Sequence, residues 1–177
     1  MLKKIPNILT IIRLLMIPVF SFLLLERLFL AAGIVYIAAT LTDVLDGFLA
    51  RRLDAVTNFG KIADPAADKL LHFAAIVILC ILGRLHVVFA ILFFAKEALM
   101  LLGGILLYKR NYVVEANWFG KLATVAMNAS IAASMIFNLP APAVNLLIGA
   151  AMLTHAFALA LYTKKYFRVK KELEERQ

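Results

Sequence analysis

Six long apolar runs, separated by short polar connections, dominate the pattern of the chain. The runs predict six helices near residues 8–25, 29–50, 62–83, 87–108, 118–137 and 142–163. A helix of about 20 apolar residues crosses the hydrocarbon core of a bilayer, so each run is long enough to span a membrane. The pattern predicts an all-α integral membrane protein with six transmembrane helices, forming a single membrane domain over residues 1–177.

The composition strengthens this interpretation and excludes other classes of protein. Hydrophobic residues make up 64% of the chain and charged residues 17%, whereas a soluble domain is about half apolar and about a quarter charged. A single cysteine, Cys80, excludes a disulfide-stapled secreted scaffold. The 177 residues leave room for the six crossings and little else.

The positive charges predict how the chain is oriented in the membrane. The net charge is +8, and the cations lie between the apolar runs, which favours anionic lipids over nucleic acid as the partner. One side of the membrane would hold only Arg27 and Arg84. The other would hold Lys3, Lys4, Arg51, Arg52, Lys61, Lys109, Arg110, Lys121 and the basic tail. Because cytoplasmic loops are enriched in Lys and Arg, the N-terminal residues 1–7 and the tail 164–177 are predicted to be cytoplasmic in a multi-pass protein of the cell membrane.

Four of the aspartates between residues 43 and 68 lie at helical spacings beside two of the predicted spans. Asp43 and Asp46 are three residues apart and share a face of the second helix. Gly60, Asp64 and Asp68 follow one another at four-residue steps along the third. Since the connection between the helices reverses the chain, the two acidic stripes are predicted to face each other in a polar cavity open to the cytoplasm.

Four carboxylates in one apolar groove repel one another unless cations neutralise them. Oxygen ligands select hard ions such as Mg²⁺ or Mn²⁺. Four carboxylates suffice for a two-metal site that binds a phosphoryl group. Gly47, Ala50 and Gly60 would let a bulky ligand approach the backbone, and Arg51 can bind phosphate with two hydrogen bonds. The alternative is that the acids only form interfacial ion pairs, with Arg51, Arg52, Lys61 and Lys69.

The order of these residues resembles the signature of a known enzyme family. The segment Asp43-x2-Asp46-Gly47-x2-Ala50-Arg51-x8-Gly60-x3-Asp64-x3-Asp68 matches in full that of the CDP-alcohol phosphatidyltransferases. The resemblance implies that two divalent ions are held by Asp43, Asp46, Asp64 and Asp68, with Asp68 also the general base. It implies that CDP-diacylglycerol is bound by Asp43, Gly47, Ala50, Arg51 and Gly60. It also implies a homodimer.

Other parts of the sequence bear on the identity of the acceptor alcohol. The opening MLKKIPNILTIIRLLMIP resembles that of the phosphatidylglycerophosphate synthases, which favours glycerol-3-phosphate as the acceptor. The acceptor phosphate would be bound by residues among Thr10, Arg13, Lys61, Lys96, Arg110 and Lys121. Ala123 stands where many of these synthases have a lysine, so a cardiolipin synthase of the same fold, which accepts phosphatidylglycerol, stays open. A membrane cation transporter is a more distant alternative.

Three further polar residues, His72, Lys96 and Glu97, lie within the predicted spans. His72 lies four residues beyond Asp68 and is either a packed helix histidine or a residue that supports the metal ligands. Lys96 and Glu97 are adjacent in the fourth predicted span. Because neighbours on a helix point in different directions, each is expected to have another partner.

Overall fold

The chain folds into helices joined by short connections. The computed structural model describes residues 5–52, 58–108 and 118–174, and the side chains of 8–47, 63–64, 66–103, 118–161 and 163. The helices are α1 (Ile5–Leu25), α2 (Phe29–Arg52), α3 (Asn58–Ile81), α4 (Val87–Tyr108), α5 (Trp118–Ile136) and α6 (Ala141–Glu174). All six predicted helices are therefore present in the predicted order.

The last helix differs most from the prediction, because α6 continues to Glu174, past the predicted end at residue 163. The apolar run ends there, but the following KKYFRVKKELE is rich in Lys, Glu and Leu, which are good helix formers. Hydropathy thus located the end of the apolar segment and not the end of the helix.

Within the described residues, four helices have the length and hydropathy of membrane spans. Ile8–Leu25, Phe29–Gly47, Trp118–Ile136 and Ala141–Leu161 are long and apolar enough to cross a bilayer. Large apolar side chains such as Leu15, Trp118 and Leu153 are exposed, as expected for helices that face lipid. The number of six spans stays a prediction, and so does the cavity open to the cytoplasm.

The chain divides into two compact units, with the boundaries falling inside α5 and α6. The first comprises residues 1–85 and 131–144, and the second comprises 86–130 and 145–177. Within the first unit, α1 packs against both α2 and α3. Phe20 of α1 and Tyr36 of α2 are fully buried with ring centroids 5.5 Å apart, and Leu71 of α3 is also fully buried. This packing places one face of α1 against the acidic stripes of the next two helices.

Two close contacts join α2 and the segment 131–144 within the first unit. A Cβ atom on Gly33 would lie 2.8 Å from Cγ1 of Ile136, so only glycine fits without a shift. Arg84 donates a hydrogen bond of 2.7 Å from Nη1 to the carbonyl oxygen of Leu139, and its guanidinium lies 3.9 Å from the ring centroid of Phe29. Arg84 thus connects the start of α2 with the turn that follows α5.

The second unit has its own apolar core. Phe93 of α4, Met127 of α5 and Ile148 of α6 are buried there. The backbone N–H of His86, just before α4, donates a 2.8 Å hydrogen bond to Oδ1 of Asn145 in α6. The second unit thus holds the start of α4 with a polar contact as well as with apolar packing.

Three helix ends share one hydrogen-bonded geometry, in which a residue with positive φ closes the helix. Arg27 (φ 60°), Gly83 (φ 69°) and Asn138 (φ 44°) occupy this position. After α1, for example, the N–H of Arg27 bonds the carbonyl of Leu24 and that of Leu28 bonds the carbonyl of Leu23. This is the Schellman arrangement, which favours glycine because a Cβ atom is strained at positive φ.

Arg27→Gly should therefore stabilise the protein by about 1 kcal/mol, the cost of the left-handed conformation for a residue with a Cβ atom. The Arg27 side chain is exposed, so its removal loses little packing. Thermal unfolding of the purified protein in detergent measures the effect. Gly83→Ala is the matched control, since nothing lies within 4 Å of the added Cβ, and it should lower the midpoint. A lower midpoint for Arg27→Gly would contradict the argument.

Candidate active site

Two polar residues of α1 lie in the interior of the first unit. Thr10 and Arg13 are fully buried and, being three residues apart, share a face of the helix. The hydroxyl of Thr10 donates a hydrogen bond of 2.5 Å to Oδ1 of Asp64 on α3. A residue of the first helix thus contacts an acid of the motif across 54 positions of sequence.

Arg13 contacts the two acids of α2. Its Nη1 bonds Oδ1 of Asp43 at 2.6 Å, its Nη2 bonds Oδ2 of Asp46, and its Nε bonds Oγ1 of Thr42 at 3.3 Å. The Asp43 side chain is 41% exposed, whereas that of Asp46 is 2% exposed. One buried guanidinium therefore joins both carboxylates, one of them accessible and the other enclosed.

Asp68 completes the acidic group from the next turn of α3. Its charge and that of Asp64 are close enough to act on Asp43. Nδ1 of His72 lies 2.9 Å from the backbone carbonyl oxygen of Asp68 and 3.5 Å from its Oδ1. The ring of Tyr36 meets that of His72 edge-on, with centroids 6.4 Å apart. The Asp68 side chain is 32% exposed, so it is far more accessible than that of Asp46.

The donor set has the chemistry of a site for hard cations, because it consists of carboxylate oxygens. In the described part of the chain, no three His, Cys, Asp or Glu side chains are arranged so that they could hold one ion. The carboxylate oxygens of the motif accept hydrogen bonds from Arg13 and Thr10 of α1. The carboxylates of Asp43, Asp46 and Asp64 are thus gathered around one face of α1.

Several predicted site residues have described backbones but no described side chains. Gly47 lies in α2 and is half-buried. The backbone positions of Ala50 and Arg51 are in the last turn of α2, and those of Gly60 and Lys61 are in the first turn of α3. The side chains of Arg51 and Lys61 lie outside the described residues, as does all of Arg110. The roles of these residues stay predictions.

The remaining acceptor candidates belong to the second unit. Nζ of Lys96 lies 2.5 Å from Oε1 of Glu97 and 5.0 Å from the ring centroid of Phe93. Lys96 and Glu97 contact each other although they are adjacent on the helix, since two long side chains can bend toward each other, and Lys96 also has the expected further partner in the ring of Phe93. Nζ of Lys121 lies 5.8 Å from the ring centroid of Trp118, and Ala123 is fully buried.

The pairing of Arg13 with the acids was missed from the sequence, which offered Arg51, Arg52, Lys61 and Lys69 as partners. A signal was present, because a cation within an apolar span needs a partner in the protein interior. Thr10 and Arg13 were singled out only as acceptor candidates, and both are fully buried on one face of α1. Their role in binding the acceptor stays a prediction.

Comparison with known proteins gives a consistent result. The family model described as CDP-alcohol phosphatidyltransferase matches residues 3–162. A protein of Aquifex aeolicus, named CDP-diacylglycerol--glycerol-3-phosphate 3-phosphatidyltransferase, is 32% identical over 137 residues, which cover 76% of this chain and 77% of that protein. Proteins with the same name in Bacillus subtilis (36% identity, 77% and 79% coverage) and Mycoplasma pneumoniae (30% identity, 77% and 70% coverage) are also similar. The chain belongs to the CDP-alcohol phosphatidyltransferase family.

Proposed function

We propose that this protein transfers the phosphatidyl group of CDP-diacylglycerol to the hydroxyl of sn-glycerol-3-phosphate, which releases CMP and forms phosphatidylglycerophosphate. The names of the relatives, which span most of the chain, support this reaction. The structural observation that carries it is the contact of one face of α1 with acids of both α2 and α3. The family signature requires those acids to act together.

The proposed mechanism is a single displacement at phosphorus. The acceptor hydroxyl oxygen forms a bond to the phosphorus that carries diacylglycerol, and the bond from that phosphorus to the oxygen of CMP breaks. Asp68 takes the proton of the hydroxyl, as its partial exposure on the acidic face allows. Gly47, Ala50, Arg51 and Gly60 bind the cytidine and diphosphate.

The family is generally dependent on divalent metal ions. In this chain two Mg²⁺ or Mn²⁺ ions would be held by Asp43, Asp46, Asp64 and Asp68. When bound, such ions withdraw negative charge from the pyrophosphate and stabilise the departing CMP. The contribution of the protein is to hold four carboxylates in a confined, largely apolar setting, where they bind cations more strongly than in water.

The acceptor phosphate needs positive charge close to the reacting hydroxyl. The proposed candidates are Thr10, Arg13, Lys61, Lys96, Arg110 and Lys121. Ala123 is the observation that favours the second acceptor, phosphatidylglycerol, because a phosphodiester has less charge to neutralise than a phosphate monoester. Glycerol-3-phosphate is the acceptor in the names of the relatives, and we propose it first.

The proposed setting is the cell membrane, with both termini and the acidic group at the cytoplasmic side. The excess of Lys and Arg on that side supports this orientation. We also propose that the protein is a homodimer, as the family resemblance implies. Cross-linking in membranes, followed by mass measurement of the product, tests the homodimer.

An acceptor screen tests the proposed reaction. Purified protein in detergent with CDP-diacylglycerol and Mn²⁺ should release CMP when glycerol-3-phosphate is added, and the lipid product should be phosphatidylglycerophosphate. Release only with phosphatidylglycerol would assign the cardiolipin synthase reaction instead. If no alcohol supports CMP release, the proposed activity is wrong.

A further inference from the structure

Arg13 is a cation enclosed among acids that the proposed reaction assigns to metal ions. Its side chain has no exposed surface and forms three bonds, to Asp43, Asp46 and Thr42. A guanidinium is always charged and holds carboxylates with a planar fork of donors. Arg13 is therefore a fixed positive charge in direct contact with two acids of the motif.

The acids need such a partner when no metal ion is present. Asp46 is almost completely enclosed, and Asp43 is further subject to the negative charges of Asp64 and Asp68. A carboxylate taken out of water without a cation is strongly destabilised. Arg13 supplies the compensating charge in the arrangement that the structure describes.

The same contacts oppose a divalent ion. A divalent ion at Asp43 and Asp46 would use the same carboxylate oxygens that Arg13 bonds. The positive guanidinium would also repel the ion. Metal binding therefore replaces or weakens existing ion pairs. It does not simply fill an unneutralised acidic pocket.

We propose that Arg13 is a built-in counter-cation that competes with divalent metal ions for Asp43 and Asp46. This inference rests on the proposed function, which assigns those acids to metal ions. It gives Arg13 a role toward the acids before the metal ion binds, in addition to its place among the candidates for the acceptor phosphate. The arrangement holds the acids in position before the ion arrives, at the cost of weaker ion binding. Arg13 is a positioning residue, since it acts through the two carboxylates.

The test measures Mn²⁺ binding to the full chain in detergent, without lipid substrate, from the loss of the electron paramagnetic resonance signal of free Mn²⁺. Arg13→Gln should bind Mn²⁺ about tenfold more tightly than wild type, because it removes the repelling charge. Its unfolding midpoint without metal should be lower, and Mn²⁺ should raise that midpoint by more than it does in wild type, since a tighter ligand stabilises more.

Two further variants keep the test decisive. Arg13→Lys retains the charge but loses the fork, so it should bind Mn²⁺ with an affinity between those of wild type and Arg13→Gln, and it provides the test if the glutamine variant does not fold. Arg84→Gln is the control, because Arg84 is a cation that bonds the carbonyl of Leu139 and stacks on the ring of Phe29, away from the acids of the motif. It should lower the midpoint and leave Mn²⁺ affinity unchanged.

The outcomes separate this inference from the proposed function. Variants at position 13 that bind Mn²⁺ no more tightly than wild type would overturn the competition, even while wild type binds Mn²⁺ and releases CMP. Weaker binding by both variants would also overturn it, and would mean that Arg13 supports the ligands. If wild type itself binds no Mn²⁺ and releases no CMP, the proposed function fails, and this inference with it.

Discussion

Asp68→Asn should lower turnover by about 10³-fold, the typical contribution of a general base. Asparagine has almost the same shape as aspartate, but its side-chain amide does not accept the proton of the acceptor hydroxyl. The contact of His72 with the backbone carbonyl of residue 68 does not depend on the side chain, so the local helix should be kept. Binding of CDP-diacylglycerol should persist in part, because three acids of the motif remain.

CMP release and equilibrium binding of labelled CDP-diacylglycerol measure the two effects separately. Glu26→Gln is the control, because it makes the same kind of neutralisation at an exposed carboxylate in the connection between α1 and α2. It should leave both measurements unchanged. An Asp68→Asn variant with turnover within about twofold of wild type would exclude Asp68 as the base.

Local periodicity was sufficient to predict the elements and the faces of the acidic helices. The six apolar runs correspond to α1–α6, and the spacing of Asp43 with Asp46 and of Asp64 with Asp68 places each pair on one helical face. These features depend on residues three or four apart, which is the range over which a helix orders its side chains.

What could not be predicted is which distant side chain meets each acid. Arg13 contacts residues 30 and 33 positions away, and Thr10 contacts one 54 positions away. Such contacts depend on how α1 packs against α2 and α3, and apolar helices in a membrane offer many ways of packing. Proximity along the chain favoured other cations as partners, since Arg51 and Lys61 are close to the acids in sequence.

The contrast between Asp43 and Asp64 leads to the second prediction. Both are proposed metal ligands, but Asp43 bonds Arg13, whereas Asp64 bonds the neutral hydroxyl of Thr10. Asp43→Asn and Asp64→Asn should each raise the Mn²⁺ concentration for half-maximal activity by at least about tenfold. Excess Mn²⁺ should restore much of the turnover of both variants, while Asp68→Asn should stay inactive because saturating metal does not replace a proton acceptor.

Stability without metal should separate the two ligand variants. Asp43→Asn weakens its ion pair with Arg13 and should lower the free energy of unfolding by about 1–2 kcal/mol. This loss is smaller than for a fully buried pair, because the Asp43 side chain is 41% exposed and Arg13 still pairs with Asp46. Asp64→Asn removes one of several mutually repelling charges and leaves the Arg13 contacts intact, so its stability should change less. Mn²⁺ titration of CMP release, together with thermal unfolding in chelator, measures both effects. A metal titration indistinguishable from that of wild type would mean that neither aspartate is a ligand, whatever the variants do to stability.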